Sequence, residues 1–221
     1  DISRRQLRYV ERYAGDLKCR SIAIENHYID RDHMEDHSVF YSKNLYPYPN
    51  HCRRVHFFTQ PIADVKHAIS HILETGIKQG SDEYRKACAE FSSQAYLGFA
   101  TIKPLDGSPV GRTVLRSFSE VPGEADKAKE YRRDFNCTRN YRAHFLGVEL
   151  TVRGLGFQQQ DVGVSACATT AIWSSLQKNT DHEDISAATP AQITMLAAKY
   201  SLPFGRPMPS EGLSADQMCQ A

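Results

Sequence analysis

The fold is decided by residues 96–118, which read YLGFATIKPLDGSPVGRTVLRSF. Two runs rich in β-branched and aromatic residues, Tyr96–Ile102 and Gly111–Phe118, flank a turn-forming segment that contains the step Asp106-Gly107. Alternating runs around a D-G step are typical of a β-hairpin. The stretch therefore predicts two adjacent antiparallel strands in the middle of the chain.

Helical patterns surround this hairpin on both sides. Apolar residues recur at spacings of three and four before it, and the same spacing returns near the end of the chain. The predicted helices cover residues 2–13, 34–43, 63–75, 82–94, 166–178 and 190–200, and the other predicted strands cover 21–24, 54–59 and two short runs within 141–153. Helices, then strands, then helices predict an α+β fold rather than the alternating order of a parallel sheet.

Two segments read as connections between these elements. Residues 122–133 are polar and predict a loop with a short helix. Gly154-Leu155-Gly156 lacks the third glycine of a dinucleotide-binding loop and predicts a turn. A boundary near Gly154 would divide the chain into an N-terminal α+β region, residues 1–153, and a second region, residues 154–221.

A last helix is predicted to begin at Ser214, close to the end of the sequence. Ser214 and Gln217 form the pattern of a capping box, and Leu213 and Met218 stand where a hydrophobic staple would close. A helix of about eight residues is too short to be stable unless it packs on something. We therefore expect the chain to be the front part of a longer protein, truncated at its C-terminus.

Composition and charge bound the class of protein. The 221 residues are 41% hydrophobic, which suits a soluble globular protein, and they contain no apolar run near the ~20 residues that span a bilayer. The net charge of +1 gives no overall field that would gather nucleic acid or a membrane surface. Six cysteines occur without a C-x-x-C pair or a secretion signal. These features predict a cytoplasmic protein with reduced thiols that binds neither nucleic acid nor membrane.

The strongest chemical signal is Cys167. It stands in the first turn of a predicted helix that Ser165 can cap, where unpaired N–H groups and the helix dipole favour a thiolate. Small neighbours leave its sulfur approachable, and three glutamines, Gln158, Gln159 and Gln160, stand shortly before it. An amide there can donate a hydrogen bond to an oxyanion that forms at an attacked carbonyl.

Residues 157–176 resemble the papain-like cysteine peptidases and are most similar to the bacterial C39-like group. The resemblance implies that Cys167 is the nucleophile, that Gln160 supplies the oxyanion hole, and that a histidine and an Asn or Asp follow later in the chain. In the family the glutamine usually stands six residues before the cysteine, whereas Gln160 stands seven before it. Gln159 or Gln158 could therefore serve instead. Residues 154–221 would then be the start of a papain-like catalytic region.

A nucleophilic cysteine needs a general base. His182, the one histidine after Cys167, lies at the far end of the same predicted helix, about 16 Å away. We therefore expect the base beyond Ala221, with His144 as the fallback within the chain, and little peptidase activity from residues 1–221 alone. The predicted function is a cysteine peptidase acting on a protein or peptide, with residues 1–153 recognising a partner or substrate. The alternative is a non-catalytic interaction or scaffold module in which Cys167 is buried.

The histidine-rich segment 26–58 invites a metal interpretation. His33 and His37 share one helical face, but Glu35 fits neither zinc-protease pattern. His67 and His71 repeat the spacing without a carboxylate between them. We therefore predict no metal and no cofactor, and we expect packing of tyrosines and phenylalanines to hold the segment.

Overall fold

The structure is a computed structural model, and it describes residues 2–74, 78–117, 137–161, 164, 167–181, 187–199 and 213–220. The predicted α+β class is confirmed: the described residues form seven helices and a six-stranded antiparallel sheet that curls into a half-barrel. The predicted loop at 122–133 lies outside the described residues, as do Ser165 and His182. Among the described residues, no helix is both long enough and apolar enough to cross a bilayer.

The helices fall close to their predicted positions. They are α1 (Ile2–Asp16), α2 (Arg31–Val39), α3 (Ile62–Glu74), α4 (Asp82–Ala95), α5 (Cys167–Leu176), α6 (Pro190–Ala198) and α7 (Ala215–Gln220), with 3-10 turns at Tyr41–Lys43 and Asn179–Asp181. Helix α2 begins three residues earlier than predicted because Asp30 caps it, its carboxylate accepting from His33 N at 3.1 Å.

The six strands form one sheet in the order β1-β2-β3-β4-β6-β5. The strands are β1 (Ser21–Tyr28), β2 (Cys52–Phe58), β3 (Tyr96–Ile102), β4 (Val110–Arg116), β5 (Arg139–Phe145) and β6 (Val148–Phe157). Strands β3 and β4 pair antiparallel, with Phe99 opposite Val114, so the predicted central hairpin is confirmed.

Both faces of the sheet are covered by helices. Neighbouring residues Phe57 and Phe58 belong to different hydrophobic clusters, as do Val114 and Leu115, because successive strand residues point to opposite faces. Helices α3 and α4 pack on the face that carries Phe58, and α1 packs on the face that carries Phe57. The sheet is therefore a rigid platform for the elements that follow it.

The hairpin of β5 and β6 confirms the two short strands predicted within 141–153 and corrects a predicted turn. Leu146 and Gly147 join the strands with φ of 49° and 85°, as a two-residue primed turn requires. The turn predicted at Gly154-Leu155-Gly156 is wrong, because these residues lie inside β6 and pair with β4. A Cβ at Gly154 would stand 2.3 Å from Leu115 O, so glycine there permits close approach of two strands. A boundary at residue 153 would divide β6; the division into two regions stays a prediction.

Two predicted helix starts near the C-terminus are confirmed by their hydrogen bonds. Thr189 and Gln192 form a reciprocal capping box at α6. Ser214 N donates to Gln217 Oε1 at 2.8 Å, and Gln217 N donates to Ser214 Oγ at 3.3 Å. The short helix α7 packs on α6, which supplies the contact that so short a helix needs.

Candidate functional site

Cys167 is the first described residue of α5, and it is exposed. The opposite face of the helix is anchored by Trp173, which is fully buried, and by Thr169, whose hydroxyl lies 3.4 Å from that of Thr194 on α6. The helix is thus held along its length while its N-terminal thiol stays open to solvent. This placement agrees with the predicted helix start and differs from the alternative in which Cys167 is sealed in a core.

The three glutamines before Cys167 have different surroundings. Gln159 is engaged by the central hairpin: its Nε2 donates to Gly107 O at 3.1 Å, and its Oε1 accepts from Val110 N at 3.3 Å. Gln158 is buried, and its Nε2 has no hydrogen-bond partner. Gln160 is exposed. Gln159 therefore fastens the segment to the hairpin, whereas Gln158 and Gln160 retain amide donors that the described residues do not occupy.

Among the described residues, no hydrogen bond or ion pair joins His144 to Cys167. His144 lies on β5, with its side chain 71% exposed and its Nε2 3.6 Å from Glu149 Oε2. The end of α5 meets β5 elsewhere, where Arg139 Nη2 donates to Gln177 Oε1 at 3.3 Å. The described contacts therefore do not support His144 as the general base, and its role stays a prediction.

A group of charges that the sequence pattern does not reveal lies beside the segment that leads into α5. We call this group the buried charge cluster; it consists of the partly buried Arg112 and five buried residues, Asp30, Asp32, Asp36, Lys103 and Asp161. Charged side chains are rarely buried unless they are paired, so each member needs a partner. Two ion pairs supply part of this pairing: Lys103 Nζ lies 3.1 Å from Asp161 Oδ2, and Arg112 Nη2 lies 2.7 Å from Asp32 Oδ2.

Asp161 fixes the chain shortly before the nucleophile. Besides its pair with Lys103, its Oδ1 accepts from Val164 N at 2.7 Å. The Tyr41 side chain also hydrogen-bonds to it, and burial raises the pKa of Tyr41, so the phenol keeps its proton and donates. The residue six before Cys167 is thus a buried anchor with three partners.

Helix α2 connects this cluster to the two helices after the sheet. Asp36 Oδ1 accepts from Ala191 N, at 3.1 Å, in the first turn of α6. Asp32 holds Arg112, whose guanidinium lies 5.9 Å from the ring centroid of Trp173 on α5. Asp32 and Asp36 are four residues apart and share a helical face. One role of segment 26–58 is therefore to support α5 and α6.

The histidines of α2 hold the tyrosine-rich turn that follows it. His33 Nε2 donates to Pro49 O at 3.1 Å, and His37 Nε2 donates to Tyr48 O at 2.8 Å. Burial lowers the pKa of His33, which favours the neutral ring, and its buried Nδ1 has no partner. Within the described ranges, no group of three or more His, Cys, Asp or Glu side chains is placed to hold a metal ion.

A second polar cluster lies within the sheet. His56 is fully buried; its Nε2 donates to Glu25 at 2.9 Å, and its Nδ1 accepts from Tyr96 at 2.9 Å. Burial lowers the pKa of His56, so the neutral ring with one donor and one acceptor fits both bonds. Arg54 also donates to Glu25. The cluster is satisfied internally and joins β1, β2 and β3.

Replacement of Asp36 by asparagine is expected to stabilise the protein at neutral pH. Burial raises the pKa of Asp36 well above its ordinary value of 3.8. The folded state then holds the proton more tightly than the unfolded state, so the contribution of Asp36 is greatest below pH 3.8 and is lost as the pH rises toward the folded pKa. Asparagine keeps the acceptor for Ala191 N and does not titrate.

Urea unfolding of both proteins between pH 4 and pH 8 measures this difference. The stability advantage of Asp36→Asn should grow with pH and be small near pH 4. Asp82→Asn is the matched control, since that side chain is 94% exposed, and it should change little. A constant difference across the range would show that Asp36 does not titrate as expected.

Comparisons with known proteins give no relative. No family model, no curated protein and no solved structure matches the chain. Functional inference therefore depends on the residues and their geometry.

Proposed function

We propose that this chain carries the nucleophile of a cysteine hydrolase, with peptides or proteins as substrates and Cys167 as the attacking residue. The observation that carries the proposal is the exposed position of Cys167 at the start of α5, on a helix whose other face is anchored by Trp173. The first turn of a helix has unpaired N–H groups and the positive end of the dipole, which together favour a thiolate.

The proposed reaction is acyl transfer to sulfur. Cys167 Sγ attacks the substrate carbonyl carbon, a C–S bond forms, and a general base takes the thiol proton. The exposed Gln160 donates to the oxyanion through its Nε2. The base then protonates the leaving amine as the C–N bond breaks, and water hydrolyses the thioester to release the acid and restore the thiol.

This proposal assigns the general base to none of the histidines that the structure describes. His144 lies beside Glu149, and His33 and His37 are engaged with Pro49 and Tyr48. The proposal keeps the papain-like arrangement that the sequence of residues 157–176 suggests. It also keeps the cytoplasmic location, which the six free cysteines support.

Competitive alkylation tests the proposal without needing a substrate. Cys137 and Cys219 are also exposed and serve as references within the same molecule. With limiting iodoacetamide at pH 7, peptide mapping should show Cys167 modified about tenfold faster than either reference. Cys167→Ser should abolish labelling by a peptide vinyl sulfone. Equal rates at the three cysteines would overturn the proposal.

A second candidate function, a non-catalytic interaction module, is favoured by the edge strand β1. Ile22 and Ile24 are each 51% exposed on one face of this strand, although their register partners Phe57 and Val55 pack beneath α1. Exposed apolar residues on a sheet edge are typical of contact surfaces. Two results together would favour this function instead. Cys167 would be alkylated no faster than Cys137 and Cys219, and the Ile22→Lys variant would no longer bind a partner protein.

A further inference from the structure

We infer that a relay of hydrogen bonds from Lys103 to Thr169 positions Cys167, with Asp161 and Thr194 as its positioning residues. The inference rests on the proposed function, because it assigns a role to these residues in presenting the nucleophile. We call this chain of contacts the positioning relay; its members are Lys103, Asp161, Val164, Thr194 and Thr169.

The first half of the relay fixes the segment before the nucleophile. Lys103, just after β3, pairs with Asp161 at 3.1 Å, and both side chains are 3% exposed. Asp161 accepts from Val164 N at 2.7 Å. Val164 is fully buried and belongs to the cluster of Tyr41 and Ala191, so its backbone is held by packing as well as by the carboxylate.

The second half crosses α6 and returns to α5. Thr194 Oγ1 donates to Val164 O at 3.1 Å and lies 3.4 Å from Thr169 Oγ1. Thr169 is two residues after Cys167, and Val164 is three residues before it. The relay therefore holds the chain on both sides of the nucleophile and leaves Cys167 itself unengaged.

Burial of the ion pair at the start of the relay carries a large desolvation penalty. Two charges removed from water gain little net stability, and apolar replacements of such pairs are often as stable. In this pair the second carboxylate oxygen of Asp161 also accepts from a backbone N–H, so the pair fixes the geometry of the backbone there. This favours positioning of the segment over stability as the role of Lys103 and Asp161.

Thr194 provides a sharp test, because valine keeps its shape and removes the hydroxyl. In Thr194→Val we expect Cys167 alkylation at pH 7 to fall about three- to tenfold relative to Cys219, the range expected for one hydrogen bond. Amide exchange in residues 171–174, whose N–H groups bond to the carbonyls of the first turn of α5, should accelerate by a similar factor. Thr194→Ser restores the hydroxyl and should return both readouts toward wild type.

Two further variants separate positioning from a general loss of stability. Thr59→Val removes a hydroxyl that donates to Gln94 O, remote from α5, and should leave Cys167 alkylation and exchange in residues 171–174 unchanged. The paired variant Lys103→Met with Asp161→Asn removes both charges, keeps an acceptor for Val164 N, and should still slow Cys167 alkylation.

The inference is overturned if Thr194→Val leaves both Cys167 alkylation and amide exchange in residues 171–174 unchanged, or if Thr194→Ser behaves like Thr194→Val. Failure of the proposed function appears in a different measurement, the ratio of Cys167 to Cys219 alkylation in the wild-type protein. Amide exchange reports the relay whatever that ratio is.

Discussion

Replacement of Arg112 by methionine is expected to destabilise the protein by roughly 3 to 5 kcal/mol. The substitution leaves Asp32, whose side chain is 5% exposed, without the guanidinium that lies 2.7 Å away. The desolvation penalty of an unpaired carboxylate in this position is not offset by an opposite charge. The single tryptophan, Trp173, is fully buried beside Arg112, so urea unfolding can be followed by its fluorescence.

Two variants decide whether charge pairing is the cause. Arg112→Met combined with Asp32→Leu removes both charges and should recover most of the lost stability. Arg85→Met breaks a pair whose side chains are 69% and 94% exposed and should cost less than about 1 kcal/mol. If the combined variant were as unstable as Arg112→Met, the guanidinium would act through packing on Trp173 rather than through Asp32.

The elements that the sequence predicted well are those with local signals. The D-G step at Asp106-Gly107 predicted the β3–β4 hairpin, and the structure pairs these strands. Ser214 with Gln217 predicted a helix start through side-chain bonds that span three residues, and Thr189 and Gln192 make the same bonds at the start of α6. Such signals are readable because both partners lie within one turn of chain.

The buried charge cluster could not be predicted in the same way. Asp32 and Asp36 stand four residues apart on α2, which looks like an ordinary solvated acidic face. Their surroundings come from β3 and β4, with Lys103 and Arg112 about seventy to eighty residues later, and from α6. Only the strand order brings these elements together, and no local pattern encodes strand order.

Glycine has two structural uses that its position in the sequence does not separate. The spacing of Gly154 and Gly156 predicts a turn, but both residues lie in a paired strand. A Cβ at Gly156 would stand 2.6 Å from the Tyr141 hydroxyl, a contact from the neighbouring strand β5. Glycine is equally suited to positive φ and to close approach, and the sequence does not distinguish the two uses.

Part of the candidate site was readable from the sequence, and part was not. Cys167 was predicted near a helix start and is found there, because helix starts have local signals. Gln159 Nε2 donates to Gly107 O, in the hairpin turn about fifty residues earlier, whereas Gln158 Nε2 has no hydrogen-bond partner. The assignment of an oxyanion donor therefore needs the fold as well as the spacing to Cys167.

The last prediction concerns Gly98, in the middle of the sheet. Replacement of Gly98 by alanine is expected to destabilise the protein by roughly 3 to 5 kcal/mol. Its φ of 129° is a conformation that side chains rarely adopt, and a Cβ would stand 2.1 Å from Val114 O. Both strain and a backbone clash would therefore fall on the β3–β4 pair, which joins the two halves of the sheet.

Gly107→Ala is the matched control for this prediction, because a Cβ at Gly107 meets nothing within 4 Å and its φ is not positive. That variant should change stability by less than about 1 kcal/mol, in either direction. Thermal unfolding followed by Trp173 fluorescence compares the two. A Gly98→Ala protein as stable as Gly107→Ala would mean that β3 and β4 separate at little cost. The central hairpin would then not be the rigid platform on which the segment before Cys167 depends.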